Sequence, residues 1–279
     1  VSSTCAVIVH HRNFPDVLNT VQQVLSQGVA PENVILVDNS EDHEVRAALE
    51  QFTPQGVAVS FVGNDGYGAA ANFGIEWVVT NRPNSEYVLV SSHEAVALPH
   101  AVSNMTQYLD LNPDCGVVGP VLLIRGSRAI WSSGGQLTKF GRRPVHRMQE
   151  LDRPTSCSWV DGAFAIYRLS ALTTDRFDAQ FFMYYEETDL HMRLGKKGWK
   201  VAVIPEAVVE QDTNGAPPYY VGRNSYLFLR RHAGLLPAWL TSVREATRFC
   251  LASGSVRERR VRLRDYVTGL RDAIAARPT

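Results

Sequence analysis

Cys5–Asn13 reads CAVIVHHRN and Val34–Asp42 reads VILVDNSED: in both, a run of aliphatic and β-branched residues breaks off into polar side chains. Two further runs behave alike. Val57–Val62 leads into Gly63, Asn64, Asp65 and Gly66, and Tyr87–Val90 leads into Ser91, Ser92, His93 and Glu94. Short apolar runs without alternation suit strands buried on both faces of a parallel sheet. Between the first two, Val17, Leu18, Val21, Val24 and Leu25 fall on one face at helical spacing, framed by Pro15 and Gly28. That pattern predicts a crossover helix of about three turns. The order implies βαβ units around a largely parallel sheet. All four polar tails then lie along one edge, where open α/β sheets bind ligands. The plainer alternative is that these are loops, and loops are polar.

Composition narrows the class. The chain has 279 residues, 45% of them hydrophobic, enough for one large domain or one domain with an appendage, and it needs no metal or disulfide staple. With 28 Lys+Arg against 28 Asp+Glu, no bulk charge attracts a polyanion, which argues against a nucleic-acid partner. Cys5, Cys115, Cys157 and Cys250 show no paired spacing, so neither a zinc site nor a disulfide framework is indicated, and a cytoplasmic setting is expected. No run approaches the roughly 18 to 20 apolar residues of a membrane span. The first residues lack a signal-peptide pattern, although a removed leader before Val1 stays open.

Further along, Cys115–Tyr167 reads as more strands, with Gly134, Gly135 and Gly141 as turn signals. Phe177–Trp199 reads FDAQFFMYYEETDLHMRLGKKGW, placing Glu186, Glu187 and Asp189 at the opening of a helix that ends at Gly195. Acids at a helix start also have a purely structural explanation in the helix dipole. Beyond Tyr219 the chain is rich in Arg and Leu, and Val256, Leu263, Val267, Leu270 and Ile274 recur at near-helical spacing among arginines. Two readings stand: a docking helix with a solvated basic face, or a surface helix that meets anionic lipid, at the inner face of a membrane, or a charged acceptor.

In this order the motifs resemble family 2 glycosyltransferases of the GT-A fold, particularly the rhamnosyltransferase-like subgroup. The likeness runs over roughly residues 5 to 235 and rests on CAVIVHHRN, VILVDNSED, NDGYGAAANFGI, SWVDGAFAIYR, the FDAQFF segment and VGRNSYLFLRRH. It implies an α/β catalytic domain over residues 1–218, with a donor half to about residue 100 and an acceptor half after it, followed by a helical extension over 219–279. It further implies a pyrimidine nucleotide-diphosphate sugar as donor, dTDP- or UDP-linked, and a hydroxyl acceptor on a glycan or natural product. Oligomeric state is left open, a dimer included.

The resemblance assigns roles residue by residue. His10 and Arg12 lie by the nucleoside, and Asp38 accepts from the pyrimidine imide N–H, a contact that rejects cytosine because its N3 carries no proton. Asn64, Gly66 and Asn72 belong to a small-residue loop that lets backbone approach the nucleotide before opening a helix. Trp159, Asp161, Gly162 and Asp189 fall on the sugar or acceptor side. Plain core packing is the alternative for Trp159, and a salt bridge or cap for Asp189. Glu186, ahead of Glu187, is the expected base of a single inverting displacement. The GAPPYY stretch at 215–220 reads as a loop able to close on the donor.

One departure from the family pattern stands out. Where relatives carry Asp-x-Asp or Asn-Pro-Asp, this chain has Ser92, His93 and Glu94, and Gln211 replaces a metal-binding His further on. The resemblance implies Mg²⁺ or Mn²⁺ held by Glu94, with His93 or Asp212 as weaker candidates. The open alternatives are catalysis without metal and a silent nucleotide-sugar-binding or scaffold protein.

Overall fold

The computed structural model describes residues 3–138, 143–212, 215–251, 253 and 255–276, so the expected turn at Gly141 lies outside the described residues. Contacts divide the chain into two units. The first comprises Val1–Gln136, His146–Phe182 and Glu186–Thr213, the second Leu137–Val145, Met183–Tyr185 and Asn214–Thr279.

The first unit opens as its hydropathy dictates, with β1 (Thr4–His10), α1 (Asp16–Ser26), β2 (Val34–Asp38), α2 (His43–Phe52), β3 (Ala58–Phe61), α3 (Tyr67–Asn81) and β4 (Tyr87–Ser92). Then follow β5 (Val96–Ala97), α4 (Ala101–Leu111), β6 (Cys115–Ile124) and β7 (Ile130–Ser132). A separate two-stranded sheet pairs β8 (Gly135–Leu137) with β9 (Pro144–His146). The unit ends with β10 (Thr155–Ser156), β11 (Phe164–Arg168), α5 (Glu186–Lys196) and β12 (Lys200–Gln211). The main sheet runs in the order β10-β12-β6-β11-β4-β1-β2-β3.

Strands β3, β2, β1 and β4 are parallel, as the apolar runs predict. The other half is mixed: β11 runs antiparallel to both β4 and β6, while β12 is parallel to β6. Alternate residues of β1 enter different cores. Ala6 and Ile8 pack with Val17, Val21 and Val24 of α1 and Met105 of α4; Cys5, Val7 and Val9 pack with Ala70, Ala71 and Ile75 of α3. Helices thus cover both faces, which is why these strands carry no polar alternation.

This topology collects chemistry at one edge. Register places His10 beside Asp38 and Val9 beside Ser92, so β1, β2 and β4 discharge their polar tails together. The antiparallel β11 brings its start to the same edge, Phe164 opposite Ser91, with Asp161 and Gly162 just before it.

The second unit contains α6 (Pro218–His232), α7 (Leu235–Leu251) and α8 (Val256–Ala275). Helices α6 and α8 cross closely at two glycines: a Cβ at Gly222 would lie 2.2 Å from the Tyr266 carbonyl oxygen, and one at Gly269 would lie 2.0 Å from that of Tyr219. The Tyr219 hydroxyl donates to Asp272 at 2.8 Å. Ser255 and Glu258 form a reciprocal capping box at the start of α8. Two expectations change here. Of the expected apolar line, Val256, Val267 and Ile274 are exposed and Leu263 and Leu270 only half-buried, while α8 buries Tyr266, Gly269 and Ala273. The GAPPYY segment is loop only as far as Pro217, because Pro218 opens α6 at a position where its fixed φ favours helix.

Candidate active site

Asp38 is buried at the end of β2 and held from several sides. His10 Nδ1 lies 2.7 Å from its Oδ1, and the Ser40 hydroxyl donates to the same oxygen at 2.5 Å. Burial pushes this carboxyl up, but the hydrogen bonds from His10 and Ser40 outweigh it and leave the group below its ordinary value. His10 Nε2 is buried without a hydrogen-bond partner, and the ring meets His93 edge-on, centroids 5.4 Å apart. Arg12 is exposed at positive φ (57°), its backbone N–H donating to Ser40 Oγ at 2.6 Å. Asn64 Oδ1 accepts from the Asn39 amide at 3.3 Å. His10, Arg12, Asp38 and Asn64 therefore share one edge.

The small-residue loop is built for a different reason. Gly66 has φ 96°, and a Cβ there would lie 2.0 Å from the Phe182 carbonyl oxygen, which accepts the Tyr67 N–H at 2.8 Å. Gly68 abuts Phe177 and Glu186, and Gly74 abuts Val7. Asn72, expected at the donor, clamps Phe177: its amide donates to the Phe177 carbonyl (2.8 Å) and accepts the Phe177 N–H (3.0 Å). These residues serve close approach of protein backbone and side chains.

At the end of β4, Ser92 donates its N–H to the Ala163 carbonyl at 2.9 Å. His93 is held near pKa 4, chiefly by burial and secondarily by His10, so it is a neutral imidazole at pH 7. Its Nε2 lies 3.7 Å from Glu94 Oε1. Burial and nearby Asp212 raise Glu94, and Arg125 partly opposes them. Asp212 itself pairs with Arg125 at 3.3 Å. Among the described residues no three His, Cys, Asp or Glu side chains converge as a metal cage. A carboxylate beside a neutral imidazole does fit Mg²⁺ or Mn²⁺ held mainly by phosphate and water oxygens, with Asp212 drawn off by its arginine.

The two candidate bases have unlike surroundings. Glu186 is buried, packed near Gly68 and Tyr67, and its Oε2 has no hydrogen-bond partner. Burial and the neighbouring Glu187 push it well above the carboxylate range. Glu187 is only partly buried, lies against Gly162, and accepts from the Thr188 hydroxyl at 3.2 Å. Burial, with a contribution from Asp161, raises it to about 7. Glu187 is thus the more accessible of the two, although Glu186 is the one expected first.

Asp161 is bonded to His146 Nε2 at 2.8 Å, an interaction that raises His146 despite its burial. His146 packs against Trp131, tilted, and against Trp159, edge-on, with centroids at 5.3 and 4.8 Å. No short-range motif marks His146; the β8–β9 pairing brings it in. Two expectations on the acceptor side fall. Trp159 is 4% exposed and pressed onto Gly135, so its face is taken by protein. Asp189 is fully buried and bound to Arg193 at 2.7 Å, the anchoring alternative, and it cannot reach an acceptor. His191, also unmarked in sequence, accepts the Val160 N–H at 3.2 Å and pairs with the Tyr167 hydroxyl at 2.9 Å. Burial drives it to about pKa 3, so it remains neutral and ties the Val160–Asp161 segment to α5. The Tyr67 hydroxyl donates to the Gly162 carbonyl at 2.6 Å, joining the start of α3 to the same segment.

A doubly covered sheet with its polar strand ends gathered at one edge, and acids converging on that edge from a later helix, defines the GT-A class of nucleotide-diphospho-sugar transferase folds. Solved structures share the fold: GalNAc-T7, solved with UDP, GalNAc and Mn²⁺, has a TM-score of 0.65 at 11% identity over 96% of this chain and 55% of that one. Staphylococcus aureus TarS gives 0.56 at 12% identity, covering 95% of this chain and 43% of that one. The chain thus spans about half the length of these solved proteins. The profile of the family described as Glycosyltransferase like family 2 matches residues 4–225, and the chain belongs to that family. It is similar to the N-acetylglucosaminyl-diphospho-decaprenol L-rhamnosyltransferase of Mycobacterium tuberculosis, 27% identical, covering 80% of this chain and 81% of that protein.

Proposed function

We propose that this chain transfers a sugar, with inversion, from a dTDP- or UDP-sugar to a hydroxyl of a glycan acceptor carried on a lipid diphosphate. Family membership supports glycosyl transfer. The mycobacterial relative, whose name specifies a rhamnosyl donor and a polyprenyl-linked acceptor, supports dTDP-rhamnose as the first donor to test. The observation that carries the reading is Glu187, a partly buried carboxylate of pKa about 7 beside Asp161 and Gly162.

In this reading Glu187 takes the proton of the acceptor hydroxyl as its oxygen attacks the anomeric carbon. The bond from that carbon to the nucleotide diphosphate breaks in the same step, and the diphosphate leaves on the opposite face. A base with a pKa near the working pH is ionised often enough to act and basic enough to accept the proton. Asp38, fixed by His10 and Ser40, uses a remaining lone pair for the pyrimidine imide N–H, since a carboxylate offers about four acceptor sites. His10 Nε2, buried without a partner, is satisfied by the donor. Glu94 and His93 would hold the divalent cation, which supplies charge neutralisation at the departing diphosphate. The His146–Asp161 pair orients the acceptor side and tunes Glu187.

The test measures dTDP-rhamnose and UDP-sugar turnover with Mn²⁺, with and without an acceptor sugar, for the wild type and Glu187→Gln. Undiminished turnover in the variant refutes the assignment of the base. Donor binding with no turnover in the wild type would favour a silent binding protein instead.

A further inference from the structure

Helix α7 reverses the usual amphipathic order. Its buried positions are Ala238, Ser242 and Glu245, and Glu245 pairs with Arg143 at 3.2 Å. Its first turns expose Leu235, Leu236, Trp239, Leu240 and Val243, each between 41% and 69% accessible. Spacing of three and four residues puts these five on one stripe. Arg244 and Arg248 continue it as exposed cations. Such a stripe costs free energy in water, and monomeric proteins seldom keep one without a use.

The charge of the sequence that holds the stripe, with Arg244 and Arg248 on α7 itself, indicates what covers it. Residues 214–279 hold twelve arginines and no lysine against four acids, an excess of eight cations; because the whole chain is neutral, residues 1–213 carry the matching excess of acids. We propose that this face of α7 seats on a bilayer surface rich in anionic lipid, with the leucines and Trp239 entering the interface and the arginines meeting headgroup phosphates. An apolar stripe bearing a tryptophan and bordered by arginine has the composition of a helix lying in the interfacial plane. Each arginine near a negative leaflet adds attraction that salt screens. A second copy of the chain is the poorer occupant, because two-fold pairing would oppose one arginine-rich surface to another. No helix among the described residues is long and apolar enough to cross the membrane, so the contact is peripheral. The proposal rests on the transferase reading for its purpose, delivery of the site to a lipid-borne acceptor, and not for the observation behind it.

Co-sedimentation of the full chain with phosphatidylcholine vesicles, with and without phosphatidylglycerol as about a third of the lipid, tests the proposal. The wild type is expected to sediment with the anionic vesicles and to stay in solution with phosphatidylcholine alone. The double variant Leu236→Glu/Leu240→Glu should lose at least about tenfold in vesicle affinity, while its circular dichroism and nucleotide binding stay unchanged. Should that variant misfold, Arg244→Gln/Arg248→Gln should lose the salt-sensitive part of binding. The proposal is overturned if the wild type ignores anionic vesicles or if both double variants bind like the wild type. It is equally overturned if Leu236→Glu/Leu240→Glu breaks a dimer seen by ultracentrifugation and leaves vesicle binding intact. Transfer to a short water-soluble acceptor, measured in parallel, separates the two readings: its absence refutes the transferase reading while leaving vesicle binding as it stands, and lost sedimentation leaves that transfer untouched.

Discussion

Two groups of acids sit in the first unit and are built in opposite ways. Glu186 and Glu187 open α5, close to each other and raised by burial, with Asp161 adding to the rise at Glu187. Glu94 and Asp212 are more exposed and share Arg125, which pairs with one and opposes the rise of the other. In the proposed reading the first group receives a proton. The second has one arginine for two carboxylates: Asp212 is paired with it, and Glu94 is still raised by burial and by Asp212. In that reading specialisation falls on the proton-accepting side, and the side facing the leaving group depends on what the donor brings.

Four measurements would break or sharpen this contrast. Glu187→Gln should cut turnover by about 10²–10⁴-fold and leave donor affinity, followed by calorimetry, unchanged; a larger loss in Glu94→Gln would invert the comparison. Chelation of divalent metal, or Glu94→Gln, should lower donor affinity and turnover by no more than about tenfold, because Mg²⁺ commonly draws most of its ligands from phosphate and water. A loss of several hundredfold in EDTA would show that the sparse side binds metal firmly.

The third measurement is the pH profile. In the proposed reading only ionised Glu187 can take the proton, so kcat should fall on the acid side of about pH 7, by about tenfold per pH unit well below it. His146 lowers the Glu187 pKa, so His146→Gln should move this limb to higher pH; an unmoved limb would limit His146 to packing between Trp131 and Trp159. The fourth and smallest effect concerns stability. Glu186 has a folded pKa well above its ordinary value, so its ionisation costs stability that is lost as pH rises above that ordinary value and is not lost below it. Glu186→Gln should therefore raise the Tm at pH 8 by about 2–4 °C for each kcal/mol recovered, with the gain vanishing near pH 4. A lower Tm at pH 8 would mean that the carboxylate has a stabilising partner.

Local sequence carried a large part of this. The apolar runs that became β1 to β4 fixed the parallel half of the sheet and the edge on which the site lies, because strand burial and strand termination are local signals. The position of the carboxylate at 38 at a strand end follows for the same reason, and the acids at 186 and 187 read as the opening of a helix, which α5 is. Asn72 and Trp159 were legible as residues but not as contacts. Their partners, Phe177 and Gly135, lie 105 and 24 positions away, and no periodicity announces such distances. Asp189 falls one helical turn before Arg193, yet only burial decides that the pair turns inward.

Tertiary structure alone decided the unlike surroundings of Glu186 and Glu187 and the contacts of His146 and His191. Glu186 and Glu187 are adjacent, chemically identical, and about 100° apart on the helix; Gly68 packs against the buried one and Gly162 against the other. The sequence by itself determined the sheet, the edge and the kinds of groups present there, since these follow from hydropathy and from where it stops. Which group meets solvent, which is paired and which is held neutral depends on desolvation and on neighbours distant in sequence, and these exist only once the chain has folded.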